Sequence, residues 1–253
     1  MGLPVFLADF GGALPAAGDR LRLDGDEGRH AVAVRRIGVG DELLLTDGAD
    51  RRARVRVAAV EGKSALTAEV ISAEDVPRPA PHVTVVQALP KSDRAELAVD
   101  LAVEAGADRI VPWAARRCVA RWTDAKEAKA RAKWAATARE AAKQARRTWV
   151  PPVGPLHDHA ALLGLVLSTV AGGGRAAVLH EAGGRPLRDF AESLGDAGEV
   201  LLVVGPEGGL DDAELADLRD AGAEAVILGP TVLRTALAGA AAISALGPLT
   251  GRW

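Results

Sequence analysis

The chain has a single cysteine, Cys118, so no intramolecular disulfide can form, and a reducing cytoplasm is the compartment that fits. It has no long hydrophobic run either. The longest nearly apolar stretch, Ala160 to Ala171, is too short to cross a bilayer, so no membrane span is expected. The N-terminus, MGLPVFLADFGG, lacks the basic start and continuous apolar core of a secretory signal. Internal repeats and low-complexity tracts are missing. So is any Walker-type GxxxxGK[ST], and the one GxGxxA match, Gly172 to Ala177, precedes a predicted strand where a dinucleotide fold needs it to follow one. No GxSxG marks a Ser-His-Asp site. His157 and His159 form an HDH in a predicted loop, with no Cys or further His at ligand spacing, so no metal is expected.

What is present is a globular composition. Of 253 residues, 49% are hydrophobic and 26% charged, enough for one large domain or two ordinary ones, each with a real core. The formal net charge is −3, but it is unevenly spread. Between Arg109 and Trp149 there are 12 Lys or Arg against 3 Asp or Glu, a local balance of +9 that leaves −12 for the rest. Clustered cations neutralise phosphates and release counterions whatever the total charge, so this stretch is the candidate RNA footprint; the alternative is a solvated basic helix.

Two domains are legible from periodicity. Residues 1–74 form the first, where ELLLTDG, RRARVRVAAV and SALTAEVIS read as short strands separated by Asp47, Gly48 and Gly62. Residues 75–82 form a linker carrying Pro77, Pro79 and Pro81, which neither continue a helix nor donate to a central ladder. Residues 83–253 form the second, where VTVVQAL is a buried strand followed by the helical pattern DRAELAVDLAVEAGA. Asp93 with Glu96 resembles a capping box there, Leu97, Leu101 and Ala105 share a face, and Gly106 suits a left-handed stop. Arg109 to Trp113 is the next strand. Asp124 with Glu127 opens a long basic helix running to about Arg147, which Pro151 and Pro152 end. Further strands are predicted at Ala176 to His180, Val200 to Val204 and Ala225 to Leu228, and helices at Asp211 to Ala221 and Thr235 to Leu246. Such alternation implies a largely parallel sheet covered on both faces, an α/β fold.

In an open parallel sheet, ligands bind at the carboxyl ends of strands. Three such ends stand out: LHE (Leu179 to Glu181), GPEGGL (Gly205 to Leu210) and LGPTVLRTALA (Leu228 to Ala238). Gly205, Gly208 and Gly209 let main chain approach a ligand and free successive N–H groups, while Pro206 stiffens the turn. The four tryptophans Trp113, Trp122, Trp134 and Trp149 lie in or beside the basic segment, where they either stack on a flipped base or pack helices together.

These residues resemble the RsmE-type 16S rRNA uridine methyltransferases of the SPOUT superfamily, over nearly the whole chain. GPEGG followed by LGPTVLRT is similar to that family's cofactor signature. QALPKSDRAELAVDLAVEAGADRIVPW, ARRC, QARRTWVP and HAVAVRRIGVGDEL resemble its other blocks, in order. The resemblance implies a PUA-like β-barrel that helps bind RNA, a C-terminal SPOUT domain threaded into a trefoil knot, a homodimer with active sites at the subunit interface, and S-adenosylmethionine held among the knot loops. Carried over to this chain, the cofactor positions are Leu179, Gly205, Glu207, Gly209, Leu228, Gly229, Leu233 and Arg234. Arg36, Lys91, Arg117, Gln144 and Arg147 are the expected RNA contacts. Arg234, or Arg117 or Arg147 from the partner subunit, would stabilise charge developing on the uracil. Glu207 is the nearest potential base, or else a loop carboxylate bonding main-chain N–H groups. The chain departs from the pattern at LRTALAG, where Ala236, Leu237 and Ala238 replace the usual ETA or STA and remove two polar side chains. That departure leaves two rival readings beside the leading one: an RNA-binding or ribosome-assembly factor without turnover, and a methyltransferase acting on transfer RNA.

Overall fold

The structure is a computed structural model and describes residues 2–91, 94–181 and 183–253. It divides into two compact units: Met1–Arg78 with Ala142–Val150, and Pro79–Ala141 with Pro151–Trp253.

In the first unit β1 (Val5–Leu7), β2 (Arg20–Leu23), β3 (Glu42–Thr46), β4 (Arg51–Glu61) and β5 (Ala65–Asp75) form one sheet, ordered β1-β3-β4-β5-β2. β1 runs parallel to β3, and the other pairs are antiparallel. The alternation in RRARVRVAAV dictates its two faces. Ala53, Val55 and Val57 point into a core with Phe6, Leu43, Leu45, Leu66 and Val70, and the intervening arginines point out. Those arginines are paired: Arg54 and Arg56 with Glu42 at 2.5 and 2.7 Å, and Arg52 with Glu74 at 2.5 Å. The hydrogen bonds from Arg54 and then Arg56 hold the Glu42 carboxyl below its ordinary range. After β2 come a short helix, α1 (Gly25–Arg29), and a π-helical turn at His30–Val34.

The segment Ala142–Val150 is bound into this unit. Thr46 Oγ1 donates to the carbonyl of Thr148 at 2.8 Å, the Val150 N–H donates to the Gly48 carbonyl at 2.9 Å, and the Arg78 guanidinium lies 3.8 Å over the Trp149 ring. Lys143 Nζ, almost fully buried, sits 2.8 Å from Glu27 Oε1. Gln144 and Arg147 are therefore carried by the unit that also carries Arg36.

In the second unit β6 (His82–Ala88), β7 (Arg109–Trp113), β8 (Arg175–Leu179), β9 (Arg185–Pro186), β10 (Glu199–Val204) and β11 (Glu224–Ile227) form a parallel sheet ordered β7-β6-β10-β8-β11-β9. Burial of Val83 to Ala88 without alternation marks a strand covered on both faces. The helices are α2 (Ala95–Glu104), α3 (Asp124–Gln144), α4 (His159–Ala171), α5 (Leu187–Glu192), α6 (Asp212–Asp220) and α7 (Thr235–Leu246). α7 packs against α2 and α5, and α4 packs against α6. α7 comes down close on the sheet at Gly239, where a Cβ would stand 3.3 Å from Val85 and 3.5 Å from Val204.

Four sequence expectations need correction or limit. The buried face of α2 is Ala98, Val99, Ala102 and Val103, and Leu97 is 46% exposed. The partner helix α7 offers Ala and Gly, so small side chains give the closer fit, Leu97 turns outward and Leu101 is only partly buried. Of the second acidic pair, Glu127 Oε1 accepts from the Leu156 N–H at 3.2 Å, and the Asp124 side chain lies outside the described residues. The HDH ends a loop and opens a helix: Asp158 caps α4 by accepting from the Ala161 N–H at 2.8 Å, and His159, its first residue, has Nε2 2.8 Å from Asp217. The proposed cap at Asp93 lies outside the described residues. Among the described residues no helix is long and apolar enough to cross a membrane, and no group of three or more His, Cys, Asp or Glu is arranged to hold a metal.

Candidate active site

Three neighbouring strands set the site. In β10, β8 and β11, Val204 stands beside Leu179 and Leu179 beside Val226, so the parallel strands end at one edge. Their connections converge there on an open cleft. Leu179, Gly205, Gly209, Leu228, Gly229 and Leu233 all line it. These six are among the positions at which the resemblance implies the cofactor.

The lining is mostly apolar side chain and bare main chain. Gly209 holds φ +72°, a left-handed conformation, and Cβ atoms built at Gly209 or Gly229 would meet nothing within 4 Å. Any side chain there would stand in open space beside the cleft. Such a surface can hold a small ligand through amide and carbonyl groups. His180 and Glu181, from the same LHE strand end, and the buried Thr235 add polar groups to the lining. Thr235 begins α7 immediately before the LRTALAG departure. Ala236 and Ala238 behind it are buried, and Leu237 is exposed.

Glu207 and Arg234 do not line the cleft. Arg234 is exposed and extended at the start of α7, between two residues that do, Leu233 and Thr235, and its carbonyl accepts from the N–H groups of Leu237 and Ala238. Glu207 points to the opposite side of the turn, where Oε1 accepts from the Lys91 N–H at 3.1 Å.

Lys91 and Arg117 lie on that side. Arg117 Nη1 donates to the Leu210 carbonyl at 3.0 Å, and a Cβ at Gly208 would stand 3.3 Å from both the Cβ and the carbonyl oxygen of Arg117. The turn Gly205 to Leu210 is thus a shared wall. One side faces the cleft, and the other carries Lys91 and Arg117. Asp211 ends the wall, caps α6 through the Ala213 N–H at 3.1 Å, and lies 3.1 Å from Arg116 and 3.8 Å from Arg117. Burial pushes its carboxyl up, but the Ala213 bond and the two guanidinium groups outweigh that and hold it below the ordinary range. Cys118, behind the same loop, is buried, and burial pushes its thiol up. Trp113 and Trp134 are fully buried, and Trp122 packs edge-on to Trp134 at 5.0 Å, so these three serve as packing residues.

Two matches define the class. Residues 77–247 match the RNA methyltransferase domain, and residues 23–71 match the PUA domain of RNA methyltransferases. The chain is 50% identical over 240 residues to the ribosomal RNA small subunit methyltransferase E of Mycobacterium tuberculosis, covering 95% of this chain and 90% of that one. It is 30% identical over 230 residues to the enzyme of the same name from Bacillus subtilis, covering 88% of each. It belongs to the RsmE-type family of RNA methyltransferases. Among solved structures, ribosomal RNA small subunit methyltransferase E from Neisseria gonorrhoeae, bound to S-adenosyl methionine, superposes with a TM-score of 0.80 at 26% identity over 98% of both chains. A methyltransferase from Legionella pneumophila shares the fold, with a TM-score of 0.83 at 24% identity over 98% of both chains.

Proposed function

We propose that the chain transfers a methyl group from S-adenosylmethionine to ring N(3) of a uridine in the 16S rRNA of the small ribosomal subunit, acting in the cytoplasm as a homodimer whose second unit is knotted. The observation that carries this reading is the shared wall: a glycine-bared cleft on one side of Gly205 to Leu210, and Lys91 and Arg117 against the other. The names of the relatives support the substrate, and the Neisseria complex supports the donor.

When bound in the cleft, S-adenosylmethionine supplies an electrophilic methyl group on a sulfonium. Main chain at Gly205, Gly209, Leu228 and Gly229 would hold it, with Leu179 and Leu233 excluding water. Arg234, exposed at the start of α7, would bind the uracil oxygens as N(3) loses its proton and negative charge spreads onto them. Holding the ring nitrogen in line accounts for most of the acceleration, because orientation alone removes several kcal/mol from such a barrier. Glu207, already accepting from Lys91, keeps the end of β6 in place. With Ala236 and Ala238 buried and apolar, the start of α7 offers the Thr235 hydroxyl as its polar side chain toward the cleft. Arg36, Gln144 and Arg147 on the first unit, with Lys91 and Arg117 on the second, contact RNA phosphates.

Incubating the protein with methyl-tritiated donor and small ribosomal subunits, then identifying the labelled nucleoside by mass spectrometry, tests this. Labelled 3-methyluridine in 16S rRNA is expected. No uptake above background would favour the binding factor without turnover, and uptake on transfer RNA alone would move the enzyme to another substrate.

A further inference from the structure

Besides Asp108, which is paired with Arg252, the second unit buries a carboxylate that the reaction scheme leaves unused. Glu214, in the first turn of α6, is 0% exposed. Oε1 accepts from the main-chain N–H of Arg116 at 2.9 Å, and Oε2 has no hydrogen-bond partner among the described residues. Burying a carboxylate is costly, and an apolar side chain would fill the space without that cost. The helix N-terminus offsets part of it, because the exposed N–H groups there favour negative charge. What the carboxylate gains over an apolar group is one contact, and that contact is made to the loop carrying Arg116 and Arg117.

The same loop is fastened to the shared wall at three further points. Asp211 takes the Arg116 guanidinium at 3.1 Å, the Leu210 carbonyl takes Arg117 Nη1 at 3.0 Å, and Gly208 lets the Arg117 main chain approach. The Arg117 side chain nevertheless stays 47% exposed, available to a polyanion. Of these hydrogen bonds and ion pairs, the one from Glu214 is the one made to the loop's main-chain N–H, so it fixes the loop's path, while those of Asp211 and Leu210 hold arginine side chains.

We infer that Glu214 is a positioning residue: by holding the Arg116 amide, it sets the loop that presents Arg117 to the RNA, beside a cofactor cleft that it does not touch. The inference rests on the proposed methyl transfer. Three variants of the full chain test it. Glu214→Leu removes the acceptor, Arg116→Pro removes the donor, and Glu214→Gln keeps a carbonyl oxygen to accept the same N–H.

Methyl transfer to small subunits, cofactor affinity by calorimetry and amide hydrogen exchange at Arg116 are the readouts. Glu214→Leu is expected to lower kcat by about tenfold or more while cofactor Kd stays within about twofold, the signature of lost alignment rather than lost binding. Its Arg116 amide should exchange faster. Arg116→Pro should lose kcat to the same extent, which keeps the test alive if Glu214→Leu does not fold. Glu214→Gln should stay close to wild type with the amide still protected. An unchanged kcat in Glu214→Leu or Arg116→Pro, a loss in Glu214→Gln as deep as in Glu214→Leu, or loss of cofactor binding in step with kcat would overturn the inference. Failure of the wild type to methylate subunits would instead refute the proposed reaction, and the Arg116 exchange rates would still report on the tether.

Discussion

Glu207 Oε1 accepts a hydrogen bond from the main-chain N–H of Lys91, 3.1 Å away, and so joins the turn after β10 to the end of β6. If that bond is the side chain's work, the oxygen matters and the charge does not. Glu207→Ala should lower kcat by about tenfold, the kinetic equivalent of one charge-assisted hydrogen bond, and Glu207→Gln should keep most of it. Steady-state rates over pH check this. A proton acceptor would lose the alkaline-rising limb equally in both variants.

Gly209 has φ +72° and lines the cleft. A β-branched side chain there is strained by about 1–2 kcal/mol and adds bulk beside the ligand space. Gly209→Val should weaken cofactor binding roughly tenfold or more, since every 1.4 kcal/mol is a factor of about ten. Calorimetric titration with S-adenosylmethionine measures it, and RNA affinity should change little.

Arg147 lies in the segment bound into the first unit and is not among the residues that line the cleft. Arg147→Ala should leave cofactor Kd unchanged and weaken RNA binding across sequences, reducing the slope of log K against log salt by about one. Filter binding at several salt concentrations reads the slope.

Near the C-terminus, Arg252 Nη1 lies 2.9 Å from Asp108 Oδ2, with the two side chains only 2% and 4% exposed. The guanidinium also donates to the carbonyls of Gly106, Pro79 and Pro81, and Asp108 Oδ2 accepts from the Val83 N–H at 2.9 Å. Arg252→Ala leaves a buried carboxylate without its cation, a loss of roughly 3–5 kcal/mol. The second unit's melting temperature should fall by roughly 10 °C or more in scanning calorimetry.

The Asp211 carboxyl titrates below its ordinary value of 3.8. Its folded pKa is lower than its unfolded one, so its charge contributes stability that is present above 3.8 and is lost as pH falls through the folded value. Asp211→Asn keeps a capping oxygen but not the charge. The stability gap between wild type and this variant should therefore be constant at neutral pH and close in acid. Urea titrations across that range check the sign.

The strands that carry the cleft were legible because VLLVV-type apolar runs stop abruptly at glycine, a pattern set by local chemistry. β1, β2 and β9 were not, since strands of three, four and two residues carry no readable period. Assignment of Ala142–Val150 to the first unit was also hidden, because it depends on contacts such as Thr46 with Thr148 across a hundred residues of chain. The α2 face was misjudged by weighing leucine above alanine when its neighbour α7 is built of alanine and glycine. Glu214 looked like one more acid in DDAE, and only its burial separates it from the two aspartates before it.

The central claim is that the ends of β8, β10 and β11 hold the methyl donor. A crystal structure of the protein grown with S-adenosylmethionine tests it most directly. The account predicts the donor between Gly205 to Leu210 and Leu228 to Leu233, contacted mainly by main-chain atoms. A donor bound elsewhere, or a cleft left vacant at saturating concentration, would contradict it.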